Sequence, residues 1–243
     1  MKLRHIPLIV SALAISPAIA GPADYVYDPV VEAGEKEVDF KYGTTHLPDG
    51  SLKQGASIGF GYGATEHWFT EVYGKFARSG DERLKFDAFE WENRFQLTET
   101  GKYPVDLGFV TELEITRAPG DPNEFRFGPL LRTEFGRLQL NANALFTQTF
   151  GPNGGGKPQF GYQWQAKYRW QTALEVGAQG FGELGPWNQW EPTETRSHQV
   201  GPALFGKLPL GHRQRLAYNG AWLFGMGGAA PAHTFRLQLE YEY

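Results

Sequence analysis

From residue 37 to the end, the chain alternates apolar and polar side chains with a period of two, while the 3.6-residue period of a helix is almost nowhere to be found. The clearest stretch places Val105, Leu107, Phe109, Thr111, Leu113 and Ile115 on one face. Asp106, Gly108, Val110, Glu112, Glu114 and Thr116 fall on the other. A strand of this kind has one greasy side and one acidic side. The pattern recurs in Phe125–Phe135, where Arg126, Arg132 and Glu134 oppose the apolar set, and in 159–170, where Gln163, Gln165, Lys167 and Arg169 do so. Twelve such segments are expected, over 37–44, 52–63, 68–78, 84–97, 105–116, 125–135, 138–150, 159–170, 172–181, 199–210, 215–225 and 234–243. Most are close to the ~9–11 residues that a tilted strand needs to cross a bilayer's hydrocarbon.

The connections sort by parity. Every second one (64–67, 98–104, 136–137, 171, 211–214) is short, apart from 98–104. The others (45–51, 79–83, 117–124, 151–158, 182–198, 226–233) are longer and carry Gly, Pro and Asn. Two packed sheets have no reason to sort their loops this way, whereas a barrel of up-and-down strands does. The expected fold is therefore an all-β, transmembrane, antiparallel up-and-down β-barrel of about twelve strands. Aromatic rings support it by placement. Trp68, Phe69, Trp170, Tyr241 and Tyr243 fall beside short turns or the terminus, as an interfacial girdle would.

Composition agrees with one face in lipid and one in water. The chain has 31 Gly and 15% aromatic residues but a mean hydropathy of only −0.43, and no stretch after residue 20 is apolar enough for a membrane helix. There is no cysteine, so no disulfide holds the fold. Residues 1–20 read as a cleaved signal peptide. Lys2 and Arg4 precede an apolar run, and Ala18-Ile19-Ala20 has the small-x-small form that signal peptidase reads. That segment holds two of the 23 basic residues and none of the 27 acidic ones, so the remainder carries a net charge of −6. Such a balance excludes nucleic acid as an expected partner.

The leader, the alternating strands and the final Phe235-Arg236-Leu237-Gln238-Leu239-Glu240-Tyr241-Glu242-Tyr243 resemble the bacterial outer-membrane β-barrel superfamily, of porin-like pattern. The resemblance implies an outer-membrane location, contact with membrane lipid and lipopolysaccharide, and recognition of the C-terminal strand by the barrel assembly machinery. Members usually end in Phe; this chain ends in Tyr243. The domain plan is a signal peptide (1–20), a periplasmic N-terminal segment (21–36) that either dangles or tucks into the barrel end, and the barrel itself (37–243).

Charges opposite the lipid face must look into a lumen, since Lys or Arg at mid-membrane costs ~2–4 kcal/mol. The candidate selectivity residues are Glu90, Glu92, Arg94, Glu112, Glu114, Arg126, Arg132, Glu134, Lys167 and Arg169, with acids concentrated on the fourth and fifth strands and bases following on the sixth and eighth. Opposed strips of this kind would place a transverse field across a narrow pore for small polar or ionic solutes. In the alternative, the same charges pair and fill a closed structural or partner-binding barrel, since twelve strands lie between filled and open sizes. Trp187 and Trp190 in the longest loop are expected to constrict the mouth. A third reading, a hydrolase, finds Ser51, His46 and Asp49 sharing one loop, but Ser197 and His198, being adjacent, would point to opposite faces. No catalytic residue, metal or cofactor is assigned. Glu191, Glu194 and His198 match no ligand spacing, and Gly154-Gly155-Gly156 has no following Lys-Ser/Thr to cradle phosphate.

Overall fold

The alternation closes into one cylinder. The computed structural model describes residues 21–243 apart from 81 and 213. The leader expected over 1–20, with its cut after Ala20, lies outside the described residues. The strands are β1 (Lys36–His46), β2 (Leu52–Thr65), β3 (Trp68–Ser79), β4 (Lys85–Gln96), β5 (Asp106–Thr116), β6 (Asn123–Phe135), β7 (Leu138–Phe150), β8 (Gln159–Gln171), β9 (Leu174–Pro186), β10 (Ser197–Gly211), β11 (Gln214–Gly225) and β12 (His233–Glu242). Each pairs antiparallel with its neighbours in the chain. β1 pairs with β12, from Glu37 opposite Glu242 to His46 opposite His233, so the barrel is closed and, among the described residues, no strand edge is left unpaired.

β9 extends to Pro186, beyond the expected end at 181. Its glycines explain both its weak strand signal and its length. Gly180 and Gly182 lie opposite Trp164 and Tyr162, and a Cβ at either would come within 2.3 Å of the facing ring. The rings of β8 cover the bare backbone of β9, a pairing that an alternation pattern does not register.

The outer face is apolar and open: Phe60, Val72, Phe89, Trp91, Leu204 and Phe224 are all exposed. On a water-soluble molecule so continuous an apolar belt would drive association; in a bilayer it is the solvated surface. The few polar groups on it are satisfied locally. The Trp68 indole donates to Asn93 Oδ1 at 3.0 Å, and the Trp91 indole to Thr70 Oγ1 at 2.9 Å, sparing the cost of an unpaired polar group in hydrocarbon. Trp68, Trp170 and Tyr243 are exposed near the short-turn end, with Tyr241 stacked on Tyr243 at 5.7 Å. Phe69, expected in the same girdle, instead turns inward, 1% exposed, beneath the Arg94 guanidinium. It follows Trp68 directly, and adjacent strand residues face opposite ways.

The long loop also departs from expectation. Trp190 does not reach over the mouth. It stacks on Phe160 at 6.1 Å, at the end of a row of rings (Phe109, Phe127, Phe146, Phe160) along the outer face, and Arg196 lies 5.7 Å from its centroid. Aromatic partners on the outside of β8 hold it there, and Trp187 is exposed.

Replacing a belt residue with a charge tests the membrane-facing assignment. Val72→Arg should destabilise the barrel by about 2–4 kcal/mol in lipid vesicles, measured as a fall in the urea midpoint of unfolding. A midpoint within error of the parent would mean that β3 does not face lipid.

Candidate functional site

Residues 21–35 do not leave the barrel; they run inside it. The segment has no regular secondary structure and contains Pro22 and Pro29, which suits an extended path without a ladder of its own. Its course can be followed by its partners. Arg236 Nη2 of β12 donates to the Gly21 carbonyl at 3.3 Å, and Arg126 of β6 lies 3.8 Å from Asp24. The Tyr25 hydroxyl donates to Glu92 of β4 at 2.6 Å, and the Tyr27 hydroxyl donates to Glu112 of β5. Asp28 meets Arg132 of β6 at 3.1 Å and caps the Val30 amide at 3.0 Å in an Asx turn around Pro29. The Val31 amide donates to Gln96 at 2.8 Å. At the short-turn rim Gly34 and Glu35 exchange backbone bonds with Gly63, and Arg215 holds Glu32 and Glu35 at 3.2 and 3.1 Å. The sequence left this segment open between a free tail and a tuck into the barrel end; in the structure it follows the lumen.

The wall is shaped for it. Two patches of the inner face are apolar, which is unexpected for a surface facing water. One is Phe181, Ala203, Phe205, Ala221 and Leu223, and Val26 packs into it. The other is Val110, Leu130 and Leu145, covered by Tyr27 with Tyr25 alongside. Two wall glycines leave room for the segment's backbone. A Cβ at Gly43 would fall 1.8 Å from the Pro22 carbonyl oxygen, and one at Gly63 would fall 1.9 Å from that of Glu32. Apolar contact, hydrogen bonds and missing side chains thus all fit one occupant.

The charged residues predicted for the lumen do face inward, but they do not form two strips looking at each other across open water. The acids lie on β1, β3, β4 and β5, where Glu37, Asp39, Glu71, Glu90, Glu92 and Glu112 are buried. Bases are set among them. Lys41 pairs with Asp39 at 3.1 Å, Lys75 bridges Glu90 at 2.7 Å and Glu114, and Arg94 pairs with Glu92 at 3.1 Å. Arg126 bonds across the strand to Glu112 at 3.2 Å rather than across the lumen. Nearer the short-turn end Glu134 joins Arg132 and Arg169 at 2.5 and 2.8 Å, and Lys167 reaches Glu175 at 3.4 Å. Pairing of this kind is what buried charge requires. The wall facing the acids is a chain of amides, Gln139–Asn141–Gln165–Gln179–Asn219, linked at 2.8–3.3 Å. The alternation had shown polar residues here, but not that they bond to one another. The segment itself was expected only as a periplasmic stretch before the first strand, either dangling or tucked into the barrel end.

Glu90, Glu92 and Glu112 bring carboxylate oxygens within 4.8 Å of one another. Each is already engaged by Lys75, by Arg94 and Tyr25, or by Arg126 and Tyr27, so the donors present neutralise the group. In the loop considered for hydrolysis, Ser51 donates both its hydroxyl and its amide to Asp49, at 2.7 and 2.9 Å, which holds the Asp49 carboxyl below its usual value. His46 instead stacks on His233 at 4.3 Å. Ser197 is buried, while His198 bonds Tyr162 at 2.8 Å. Among the described residues no serine hydroxyl bonds a histidine, so neither pair has the geometry of an activated nucleophile.

Solved structures share the fold. An outer-membrane channel of the COG4313 group from Pseudomonas putida F1 aligns with a TM-score of 0.62 at 12% identity, over 90% of this chain and 97% of that one. A KdgM porin aligns with a TM-score of 0.54 at 8% identity, over 85% and 98%, and has also been solved in complex with disordered oligogalacturonate. No protein-family model and no curated protein matches the sequence. At these identities the likeness is one of fold.

Two substitutions probe how the segment is held. Gly43→Val should eject it, making residues 21–35 a target for added protease in detergent-folded protein that is otherwise resistant; persistent protection would place the segment elsewhere. Tyr27→Ala removes the ring that covers Val110, Leu130 and Leu145, at a cost of about 3 kcal/mol. The rate of cleavage through the open state should rise about a hundredfold.

Proposed function

We propose that the protein is an outer-membrane channel for small polar or ionic solutes, closed in this conformation by its own N-terminal segment. The short-turn end faces the periplasm and the long loops face outward. The carrying observation is that the lumen contains two cavities, of about 240 and 210 Å³, on either side of the segment, with Tyr25 lining both. The outer one is edged by Lys75, Glu114, Glu124 and Arg126, the inner one by Arg132, Lys167, Glu240 and Arg215. Space and charge for solute therefore exist along the axis, and residues 21–35 interrupt them.

The segment is suited to moving. It is attached to the barrel covalently only through β1 and contributes no strand to the ladder. Gly34, at φ 78° with free space around it, supplies a pivot beside the rim. Beyond the backbone bonds of Gly34 and Glu35 to Gly63 at that pivot, its hold on the wall is made through wall side chains, which can exchange for water or solute without disturbing a strand pair. Charges such as Arg132, Lys167 and Glu240 would then select the passing solute. In this reading the apolar belt meets outer-membrane lipid and lipopolysaccharide, and the strand ending at Tyr243 is the part read by the assembly machinery. Fold likeness to channels is consistent with the proposal; the paired charges and the fitted segment also suit a permanently filled barrel, which makes the opposite prediction.

A disulfide separates the two. The Ala23 Cβ lies 3.5 Å from the position a Cβ would take at Gly55, within the bridging range of ~3.5–4.5 Å, and the chain has no other cysteine. Ala23→Cys with Gly55→Cys should give a barrel that is silent in a planar bilayer when oxidised and shows reversible openings when reduced. Equal current in both states would mean that solute does not need the segment to move. Silence in both states, and in the parent protein, would mean a filled barrel.

A further inference from the structure

On the lipid-facing side of β3 to β6, the strand register lays the side chains out in rows. Val72, Trp91, Leu113 and Phe125 lie side by side in one row. Thr70, Asn93, Thr111 and Phe127 form the next, toward the short-turn end. Trp68, Phe95 and Phe109 form a third. The middle row is polar on β3, β4 and β5 and lies between two apolar rows. Polar groups inside the apolar belt are costly unless each finds a partner.

Most of them do. The Trp91 indole donates to Thr70, and the Trp68 indole donates to Asn93 Oδ1. An indole N–H can only donate, so this bond fixes which way round the Asn93 amide lies: its oxygen meets Trp68, and its NH₂ group is left for something else. Asn93 is only 8% exposed, yet Nδ2 has no acceptor among the described residues. The side chain lines a cavity of about 420 Å³ on the outer face, with Thr111 beside it and Trp68, Trp91, Phe95, Leu113 and Phe125 around them. That volume falls within the ~300–1,000 Å³ of ligand pockets. The hollow is therefore apolar-walled, with one amide donor in its wall that the protein itself does not satisfy.

We propose that this hollow holds one glycerophospholipid of the periplasmic leaflet, with an ester carbonyl accepting from Asn93 Nδ2 and an acyl chain against Trp91, Leu113 and Phe125. Hydrocarbon supplies no water to the amide, so the acceptor must come from a membrane component. Its depth selects which. Asn93 lies close to the short-turn end of β4, one row in from Trp68 of the girdle, and the girdle marks the level where acyl chains begin at their ester bonds. A lipopolysaccharide molecule would sit at the opposite rim. A second copy of the barrel would bring a convex wall to a concave surface and leave the hollow unfilled. The proposal needs the barrel's orientation in the membrane, and does not need residues 21–35 to move.

The test is native mass spectrometry of the full-length protein refolded in non-ionic detergent. The probes are dipalmitoyl glycerophosphoethanolamine and its dihexadecyl ether analogue, which has the same head group and chain length but no carbonyl. The parent protein should retain one ester lipid at concentrations about tenfold below those needed for the ether lipid, as the loss of one buried hydrogen bond implies. This comparison uses the parent chain alone, so no variant has to fold for it. Asn93→Leu, shown to be folded by unchanged gel mobility before boiling, should hold the two lipids equally. Equal retention of ester and ether lipid by the parent would overturn the proposal, and so would a preference for the ester that survives Asn93→Leu. A lipid-free species of two chains, lost in Asn93→Leu, would make the polar row an interface between copies and overturn it as well.

Discussion

The ladder between β1 and β12 is the contact on which the rest of the structure depends. In hydrocarbon an unpaired strand edge has no water to satisfy it, so the sheet must close. Closure creates an inside, and it forces every side chain opposite the apolar belt into that inside. It also sets the fate of residues 21–35. They precede β1 at the short-turn rim, next to the opening of the cylinder that β1 itself seals, and Gly63 and Arg215 turn them inward there. A single pairing thus makes the lumen and holds the tether of its occupant.

The lumen's charge follows a consistent physical logic. More carboxylates than bases face inward on β1, β3, β4 and β5, and burial makes each of them need a donor. Lysine and arginine on the same wall supply most; Tyr73 and Gln238 of the wall serve Asp39, the two tyrosines of the segment serve Glu92 and Glu112, and Glu71 Oε1 is left without a donor. The arginines on β6 and β11 are shared between wall acids and the segment's acids. In the proposed channel the N-terminal segment therefore acts as a counter-charge and hydroxyl source as well as a steric obstacle. Its displacement is favourable only when something of similar chemistry, or water with ions, takes over those bonds. In that proposal the requirement would link closure to selectivity without any moving part in the barrel wall.

The strands were legible because alternation is a direct imprint of a two-sided solvent. The lipid side demands Val110's neighbours Phe109 and Thr111 outward, and so on along β5. β7 matches its expected bounds at 138–150, where Leu138, Leu140, Ala142 and Ala144 alternate with Gln139, Asn141 and Asn143. β9 was shorter in prospect because Gly180 and Gly182 carry no side chain to alternate; only the facing rings of Trp164 and Tyr162 reveal them as strand. Phe69 was misplaced because residue type suggested a girdle while parity, the stronger constraint, put it inside. Trp190 was misplaced because a loop's direction depends on where its rings find partners, here Phe160 on the outside. The segment's path was illegible for a related reason. Val26 and Tyr27 fit apolar patches assembled from β5, β6, β7, β9, β10 and β11, and no local pattern encodes a surface built from strands so far apart in sequence.

The most direct test couples the segment's position to the current. With a single cysteine introduced as Val26→Cys, a membrane-impermeant thiol reagent can be added while one channel is recorded. Val26 is 6% exposed in the closed barrel. The account predicts that modification is proportional to time spent open, and that the modified channel stays open because the bulky adduct no longer fits against Phe181 and Leu223. Current through channels whose residue 26 stays unreactive, or modification without openings, would contradict it.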